Sequence, residues 1–470
     1  MQAAAHPDSG ARRAALAIAF GGALLAVAVA AALGGRVHPD EIFQFLEPAH
    51  FVAFGQRVVA WEWHQGLRNW AFPGLLGGWL RLWAALGVTN PRTLALLVFS
   101  LCAGFQALGT LSLYAWVSER DGAKAGLVAA ATFAAWGGWL VYAGRPLSDA
   151  VTIAPLLAAL WRTGRARQSG KLRDGSWVGL LLGLAFLVRY PSAVFAVPIG
   201  ISLLLGRRWR ALAGTAVGGA LVLAFLGALD FATWGAPFHS LVRFVDFNLF
   251  SGAAATHFGS APLSKFLPIL ASMLPVVLLW HFGRGLRRLE LAAGTFAFYL
   301  AFVLVTPHKE ARFLVPLMPL FAAIAARPLT SDLARLRGRR WALALAVALF
   351  ATNSAAAATV LRPFGMHRGI VDATIACGRE PDFSGAIIAG TPWWGTAGRF
   401  YLHRRGPALV TAGLSAAAIA RALTDPVYSD ALVTGTAISA RQLAAAGFVP
   451  IHRFGRVKWW HRRSDPGAAL

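Results

Sequence analysis

The sequence predicts an all-α polytopic membrane protein with about eleven transmembrane helices, followed by a small C-terminal α/β domain outside the membrane. Of its 470 residues, 57% are hydrophobic and 14% are charged, whereas about 25% of the residues in a typical soluble protein are charged. Mean hydropathy is +0.57. This composition excludes an ordinary soluble protein, so the function is expected at a membrane.

The positive charge of the chain indicates membrane topology rather than nucleic-acid binding. The formal net charge is +24, but many of the 44 Lys and Arg residues lie in short loops between apolar segments. Such loops remain on the cytoplasmic side under the positive-inside rule. The loop 162–173 is the most basic of them and fixes the cytoplasmic side. We therefore expect no nucleic-acid partner.

The first apolar run, from about Ala14 to Leu33, is long enough to cross a bilayer. A cleaved signal peptide is the alternative for this run. The next apolar stretch, Phe72 to Val88, is short and contains Arg81. Consistent inside–outside alternation requires this stretch to lie on the outer face or to re-enter it. We therefore expect outer loops over 34–91 and 231–265.

The other spans follow from counting in both directions from the basic loop. We predict outer turns near 145–149, 189–191 and 307–312, and inner loops near 207–210, 284–288 and 327–340. A last span over about 341–360 takes the C-terminus outside. All candidate functional residues then lie on one face, which we expect to be the periplasmic or exterior face of a bacterial plasma membrane.

From about residue 361 the composition becomes that of a soluble domain. The runs 386–388 and 431–434 indicate short strands, and 415–423 indicates a helix. The segment 448–460 is typical of a hairpin. We therefore predict two domains, a transmembrane catalytic domain over 1–360 and a soluble extracytoplasmic α/β domain over 361–470.

The stretch 38–50 places several ionisable groups directly after the first span. Pro39 is favourable as a first helical residue, so Asp40 and Glu41 fall in the first turn of a helix. Glu47 returns to the face of Asp40 seven residues later. Complementing the helix dipole is the alternative role of such acids.

Basic residues stand at outer helix ends, where the positive-inside rule disfavours them. These residues are Arg145, Arg189, Lys309 and Arg312. A phosphate bound by arginine forks and a lysine would keep them there. The alternatives are snorkelling to the interface and pairing with nearby acids. The candidate acids are Asp149, Asp230 and Glu310.

Two elements of the sequence resemble glycosyltransferase family 22, whose members are GT-C-fold mannosyltransferases that use dolichyl-phosphate-mannose. The first is His-Pro-Asp-Glu, Phe-Gln and Glu-Pro-Ala-His over 38–50, with Trp-Glu-Trp at 61–63. The second is His-Lys-Glu-Ala-Arg-Phe over 308–313, which matches the family's His-Lys-Glu-x-Arg-Phe without departure. A third, over 145–149, looks like the family's Arg-Thr-Leu-Ser-Asn, but ends in Asp149. The resemblance covers about 14–330 well and the C-terminal domain poorly.

The resemblance implies an inverting transfer of mannose from a polyprenyl-phosphate donor to a glycan or glycolipid acceptor, with no metal or other cofactor. Asp40 is then the general base, and Glu41 orients the acceptor. The expected donor-phosphate ligands are His308, Lys309, Arg312, Arg145 and Arg189. The expected acceptor-binding residues are Glu47, Trp61, Glu62, Trp63 and Arg68.

Alternatives remain for several of these residues. Asp40 and Glu41 together are also suited to hold Mg²⁺ with substrate phosphates. Trp61 and Trp63 are also typical of an interfacial aromatic belt.

Other functions remain possible at this point. The same kind of donor would serve in the transfer of another sugar, such as glucose or arabinose. A lipid-linked-sugar flippase or transporter is expected to carry paired repeats or ionisable groups near mid-membrane, whereas here the charges gather at one interface. A sugar-binding membrane scaffold would require Asp40 to be dispensable.

Overall fold

The computed structural model describes residues 9–288, 290–336, 338–361 and 368–463. The chain forms two compact units. The first unit comprises Met1–Ala30, Glu62–Phe72 and Phe99–Pro363, and the second comprises Ala31–Trp61, Pro73–Val98 and Phe364–Leu470. The domain boundary predicted at residue 360 stays a prediction. The two compact units do not coincide with the two predicted domains, because Ala31–Trp61 and Pro73–Val98 group with the C-terminal residues.

Helices dominate the described structure. Up to residue 234 the α-helices are α1 (Ser9–Leu33), α2 (Glu47–Phe54), α3 (Trp61–His64), α4 (Ala71–Ala85), α5 (Pro91–Asp121), α6 (Ala123–Ala134), α7 (Gly137–Ala143), α8 (Ser148–Val151), α9 (Ile153–Ser169), α10 (Leu172–Val188), α11 (Ala196–Leu205) and α12 (Trp209–Trp234). They are followed by α13 (His239–Val245), α14 (Ala253–Phe258), α15 (Leu263–Met273), α16 (Leu279–Leu286), α17 (Leu291–Val305), α18 (Leu317–Arg335), α19 (Arg340–Leu361), α20 (Arg368–Gly378), α21 (Gly398–Leu402), α22 (Ala416–Thr424) and α23 (Ala440–Ala445). Short 3₁₀ helices cover Tyr190–Phe195, Val276–Leu278, Ala311–Leu314 and Trp393–Gly395, and π-helical turns cover Glu41–Leu46 and Asp246–Phe250.

Within the described residues, five helices are long and apolar enough to cross a membrane. They are Ser9–Leu33, Pro91–Asp121, Trp209–Trp234, Ala311–Arg335 and Arg340–Val360. Two helix pairs, Ala123–Ala134 with Gly137–Ala143 and Phe266–Met273 with Val276–Leu286, are bent by 66° and 73°, and counting each pair as one span gives seven. The predicted helical membrane architecture is therefore confirmed.

The predicted number of about eleven crossings is not confirmed. Two of the predicted spans correspond to α9 and α10, which have 17 residues each. A helix of that length extends over about 26 Å, less than the roughly 30 Å of a hydrocarbon core. The apolar helices Tyr190–Leu205 and Leu291–Val305 are also short. The stretch predicted to lie on the outer face forms α4, whose 15 residues extend over about 22 Å.

Closely packed small residues join α10 to α12 in the first unit. Gly175, Gly179 and Gly183 recur every fourth residue on the buried side of α10. A methyl group at Gly179 would collide with the carbonyl oxygen of Thr215 on α12. Such spacing lets helix backbones approach closely inside a membrane. This glycine seam, formed by Gly175, Gly179 and Gly183 against α12, fixes the position of Arg189, which follows the last residue of α10.

A five-stranded sheet lies in the second unit. Its strands are β1 (Ala386–Ala389), β2 (Ala408–Val410), β3 (Asp430–Thr434), β4 (Phe448–Phe454) and β5 (Val457–Arg462), in the order β2-β1-β3-β5-β4. The pairs of β1 with β2 and β3 are parallel, and those of β5 with β3 and β4 are antiparallel. Side chains alternate between the two faces, so Ile388 packs near α20 and Ile387 near α22. The predicted small α/β fold is confirmed.

The segment 393–403, which follows β1, contacts residues 36–50, the part of the second unit that contains Asp40, Glu41 and Glu47. The buried guanidinium of Arg36 donates to the carbonyl oxygens of Trp394 and, at 3.0 Å, of Thr396. The rings of Phe43 and Trp393 meet edge to face, with centroids 5.0 Å apart. The segment before Asp40 and the turn after it are thus both fixed by the same C-terminal segment.

Glu47, the first residue of α2, adds a further contact between residues 36–50 and the segment 393–403. Its fully buried carboxylate accepts the backbone N–H of Phe400 at 2.7 Å and that of Val58 at 2.5 Å. Gly398 has φ +68°, and any side chain there would collide with this carboxylate. Burial raises the pKa of Glu47 to about 7. The close fit explains why glycine is needed at 398.

His50 and His403 complete this contact. His50 Nδ1 lies 2.7 Å from the carbonyl oxygen of Gln56, and His50 Nε2 lies 3.1 Å from His403 Nδ1. Because a carbonyl oxygen only accepts, the proton of neutral His50 is on Nδ1, and Nε2 accepts from His403. Burial lowers the pKa of His50 to about 4 and also lowers the pKa of His403.

The histidine contact predicts acid sensitivity. Because the folded protein binds the His50 proton less tightly than the unfolded chain, stability from this group is complete above pH 6.5 and is lost as the pH falls towards 4. The loss should reach roughly 3 kcal/mol. Glu47 acts oppositely, since its raised pKa favours folding below pH 4.5 and loses that effect up to about pH 7.

Thermal unfolding in detergent from pH 7 to pH 4 would measure this effect by comparing the wild type with His50→Gln. Both proteins retain Glu47, so the difference between their pH profiles reports His50. The midpoint of the wild type should fall more steeply with acid than that of the variant. Parallel profiles would show that His50 does not titrate between these pH values.

Candidate active site

The second unit presents Asp40 at the entrance to the π-helical turn Glu41–Leu46. Its side chain is 16% exposed and pairs with His38, with Nδ1 and Oδ1 3.2 Å apart. The same imidazole nitrogen also lies 3.2 Å from the backbone nitrogen of Asp40. A partly exposed carboxylate beside an imidazole is able to contact a substrate hydroxyl and to accept its proton, as a general base does.

Glu41, predicted to orient the acceptor, faces the protein interior instead. It is buried, and its Oε1 accepts the backbone N–H of Val37 at 2.5 Å. The charge of Glu41 also favours the charged form of buried Arg36, although burial lowers the pKa of Arg36 to about 10. Glu41 therefore stabilises the turn that precedes Asp40. Its predicted role in orienting the acceptor stays a prediction.

In the first unit, a buried carboxylate brings two of the predicted cations together. Asp149 Oδ1 lies 2.9 Å from Arg189 Nη1, and Asp149 Oδ2 lies 3.8 Å from Arg312 Nη1. Arg312 Nε also donates to Glu310 Oε2 at 2.5 Å. Both guanidinium carbons lie over the ring of Phe313, at 5.3 and 5.5 Å from its centroid. The pairing that the sequence left as an alternative is therefore present.

His308 and Lys309 occupy the start of the same element. His308 Nε2 lies 2.7 Å from Glu310 Oε1, which links the imidazole to the Arg312 ion pair. Lys309 Nζ donates to the carbonyl oxygens of Leu304 and Thr306 at 2.9 and 2.6 Å. Lysine at this place satisfies carbonyl groups at the end of α17 and complements the helix dipole.

Arg145 is fully buried among apolar helices. Its Nη2 donates to the carbonyl oxygen of Ala30 on α1 at 3.0 Å, and its guanidinium carbon lies 4.8 Å from the centre of the Phe99 ring. These contacts tie α1 and α5 to the turn before α8. A phosphate-binding role for Arg145 stays a prediction.

The predicted acceptor-binding residues are mostly engaged with the protein. Glu62 is buried and pairs with Arg68 at 2.8 Å. Trp63 is also buried and stacks near Trp234, with ring centroids 6.2 Å apart.

Trp61 is partly exposed, and Glu47 is fully buried as described above. The structure thus gives Glu47, Glu62 and Trp63 packing partners, while Trp61 and Arg68 keep exposed surface.

Two features of the site were missed by sequence reasoning. Asp149 was treated only as a possible counter-ion, although it is the carboxylate that Arg189 and Arg312 share. Its place at the end of the matched element over 145–149, in a position where the family has Asn, was the available signal. The second is the segment 393–403, for which no local pattern indicates contact with residues 36–50.

The structure describes no cluster of three or more His, Cys, Asp or Glu residues that would hold a metal ion within residues 9–288, 290–336, 338–361 and 368–463. The expectation that no metal or cofactor is needed stays a prediction.

Comparison with curated proteins identifies relatives along most of the chain. A GPI mannosyltransferase 3 from Yarrowia lipolytica is 28% identical over 382 residues, which cover 78% of this chain and 71% of the relative. The Candida albicans protein of the same name is 25% identical, with coverages of 77% and 72%. The alpha-1,2-mannosyltransferase Alg9 of Drosophila melanogaster is 22% identical, with coverages of 61% and 49%.

Solved structures share the fold. The crystal structure of ArnT from Cupriavidus metallidurans bound to undecaprenyl phosphate superimposes with a TM-score of 0.64 at 15% identity, covering 96% of this chain and 98% of ArnT. Its apo form gives a TM-score of 0.60 at 16% identity, with coverages of 94% and 98%. The GT-C fold implied by the sequence resemblance is therefore confirmed.

The comparisons correct the predicted location. A bacterial plasma membrane with the site facing the periplasm was expected, but the similar mannosyltransferases come from yeasts, from Arabidopsis thaliana and from Drosophila melanogaster. That location is therefore wrong, because basic loops reveal which side of a membrane faces the cytoplasm but not which membrane it is.

The family assignment rests on most of the chain. Residues 20–403 match the model of the Alg9-like mannosyltransferase family. This match includes the Asp40 stretch, the Arg189–Asp149–Arg312 group and the segment 393–403. The chain belongs to the Alg9-like mannosyltransferase family and is a membrane-embedded mannosyltransferase with a GT-C fold.

Proposed function

We propose that this mannosyltransferase takes its sugar from a polyprenyl phosphate and transfers it to a glycan or glycolipid acceptor on the extracytoplasmic face of the membrane. The observation that carries the proposal is the group formed by Arg189, Asp149 and Arg312 at the ends of apolar helices in the first unit. The ArnT neighbour was solved with undecaprenyl phosphate, which supports a ligand of this chemical class.

The arginine group is suited to the phosphate of the donor. Asp149 and Glu310 hold the two guanidinium groups in place, and the ring of Phe313 contacts both. A guanidinium carries five N–H donors, more than one carboxylate accepts. Donors fixed before the lipid arrives stabilise the phosphate both in the substrate and as the leaving group. Lys309 adds a positive charge beside the group, and His308 contacts Glu310.

Asp40 supplies the proton chemistry in this proposal. Its carboxylate removes the proton from an acceptor hydroxyl as that oxygen attacks the anomeric carbon of the donor sugar. The new carbon–oxygen bond forms while the bond from the anomeric carbon to the phosphate oxygen breaks, and the polyprenyl phosphate leaves with the electron pair. A single displacement of this kind inverts the anomeric configuration. His38, paired with Asp40, orients the carboxylate.

Replacing the base should abolish transfer without removing donor binding. Asp40→Asn should lower turnover roughly 10²- to 10⁴-fold, because the amide does not take up the proton. Its affinity for polyprenyl phosphate should stay within about twofold of the wild type, since the phosphate ligands remain. The matched control is Asp246→Asn, an exposed acid at the start of the π-helical turn Asp246–Phe250. Wild-type turnover by purified Asp40→Asn would exclude Asp40 from the mechanism.

The arginines are tested through donor affinity. Arg312→Lys and Arg189→Lys keep the charge but lose the planar fork, so each should weaken binding of polyprenyl phosphate about 10- to 100-fold. The double variant should lose less than the sum of the two losses, since both side chains share Asp149.

Arg243→Lys, on an exposed surface of α13, is the control for these substitutions. The two single variants and the control are compared by titration with the free lipid phosphate. Unchanged affinities in the two single variants would assign these arginines to structural ion pairs only. The search for the phosphate site would then turn to Arg145 and Lys309.

Thiol labelling tests the face on which transfer occurs. Gln65→Cys, Ser260→Cys and Ser384→Cys should react with an impermeant reagent in sealed vesicles whose extracytoplasmic face is outward, and Ser169→Cys should not. Background is low because Cys102 and Cys377 are buried. Labelling of Gln65→Cys with protection of Ser384→Cys would refute the predicted alternation of spans, most directly at α4.

A further inference from the structure

A basic cavity lies at the opposite end of α17 and α18 from the His308–Arg312 element. Its volume is about 190 Å³. The cavity is enclosed by the end of α5, by α16 with the turn after it, by the start of α17 and by the second half of α18. The charged residues that line it are Arg120, Asp121, Arg284, Arg288, Glu290 and Arg327. All belong to the first unit.

The positive charges around the cavity exceed the negative ones. Four arginines and two acids line it, so the formal charge is 4 − 2 = +2. Arg120 pairs closely with the acids, at 2.6 Å from Asp121 and 3.1 Å from Glu290. Arg284 pairs at 2.5 Å with Asp332, outside the cavity. These two arginines are therefore neutralised by direct contacts.

Arg288 and Arg327 are the two that lack a close carboxylate among the described residues, and with Asp332 counted the formal charge of the group is 4 − 3 = +1. Their Nη1 atoms lie 3.7 and 3.6 Å from Asp121 Oδ1, which is beyond hydrogen-bond distance. Their side chains are 49% and 53% exposed, whereas that of Asp121 is 2% exposed. Asp121 carries a single negative charge and is already bonded to Arg120, so it does not balance three guanidinium groups. The geometry leaves an anion-sized space between two guanidinium groups that have no carboxylate within hydrogen-bond distance in the described part of the chain.

The cavity lies where candidate membrane spans end. The span Pro91–Asp121 stops at the cavity, and the span Ala311–Arg335 passes it in its last turns. Trp280, one helical turn before Arg284, is 69% exposed, which is typical of aromatic residues at the headgroup level of a bilayer. The 15 residues of α17 separate the cavity from His308 by about 22 Å.

We propose that this cavity binds the phosphate of an anionic phospholipid headgroup on the side of the membrane opposite to the glycosyl-transfer site. A phosphate carries the charge and the acceptor oxygens that Arg288 and Arg327 require. Basic pockets between membrane helices bind such headgroups. A lipid rather than a free anion is favoured because the cavity opens at the end of apolar helices, where acyl chains have a surface to cover. The site is independent of the proposed donor and acceptor.

The test uses the full-length protein in neutral detergent micelles titrated with phosphatidylglycerol or with phosphatidylcholine. Phosphatidylglycerol should raise the thermal unfolding midpoint of the wild type, and phosphatidylcholine should not. In Arg288→Gln/Arg327→Gln the apparent affinity for phosphatidylglycerol should fall roughly 25-fold, at about fivefold for each arginine.

Arg167→Gln/Arg210→Gln removes two exposed arginines, one near the end of α9 and one at the start of α12, and should retain the wild-type response. If the double variant fails to fold, the single variant Arg327→Gln, at the more exposed of the two positions, is titrated in its place and should lose about fivefold in affinity for phosphatidylglycerol. An equal phosphatidylglycerol response in the wild type and the cavity variants would overturn the proposal. The same midpoint shift with inorganic phosphate alone would also overturn it, because the site would then recognise a free anion.

Discussion

Glu47 joins the segment that carries Asp40 to the C-terminal sheet domain, because its two buried oxygens accept backbone N–H groups from two separate parts of the chain. Arg36 and His50 add contacts on either side of it, with segment 393–403 as the common partner. A buried carboxylate without such partners would be very unfavourable. The conformation of residues 36–50 therefore depends on the presence of the C-terminal domain, which gives that domain a role in placing Asp40, the proposed general base.

Buried acids organise the first unit in a similar way. Asp149 orients Arg189 and Arg312, and Glu310 joins Arg312 to His308. Since removing one member of a buried ion pair leaves an uncompensated charge, these residues act as a group rather than singly. The group stands at helix ends fixed by tight packing, above all by the glycine seam between α10 and α12. Apolar packing thus determines where the cations meet the lipid phosphate in the proposed mechanism.

The two ends of α17 and α18 carry different electrostatic environments. Near His308 the cations have close carboxylate partners, and any further ligand meets guanidinium groups already held in place. Near Arg288 and Arg327 the shared acid, Asp121, is already bonded to Arg120, and positive charge is left in excess. This difference matches the chemistry proposed for each end, a positioned substrate phosphate at one and an exchangeable lipid headgroup at the other.

Sequence alone determined the membrane class, the helical fold, the small C-terminal sheet and the family, because hydropathy, strand periodicity and the elements at 38–50 and 308–313 are local signals. It also located Arg189 and Arg312 at helix ends. Tertiary structure decided that Asp149 is shared by both arginines, that Glu41 and Glu47 point into the protein, and that residues 393–403 hold the Asp40 stretch. The direction of a carboxylate depends on which distant backbone N–H groups reach it. Those partners lie up to 353 residues away along the chain, and no local pattern encodes them.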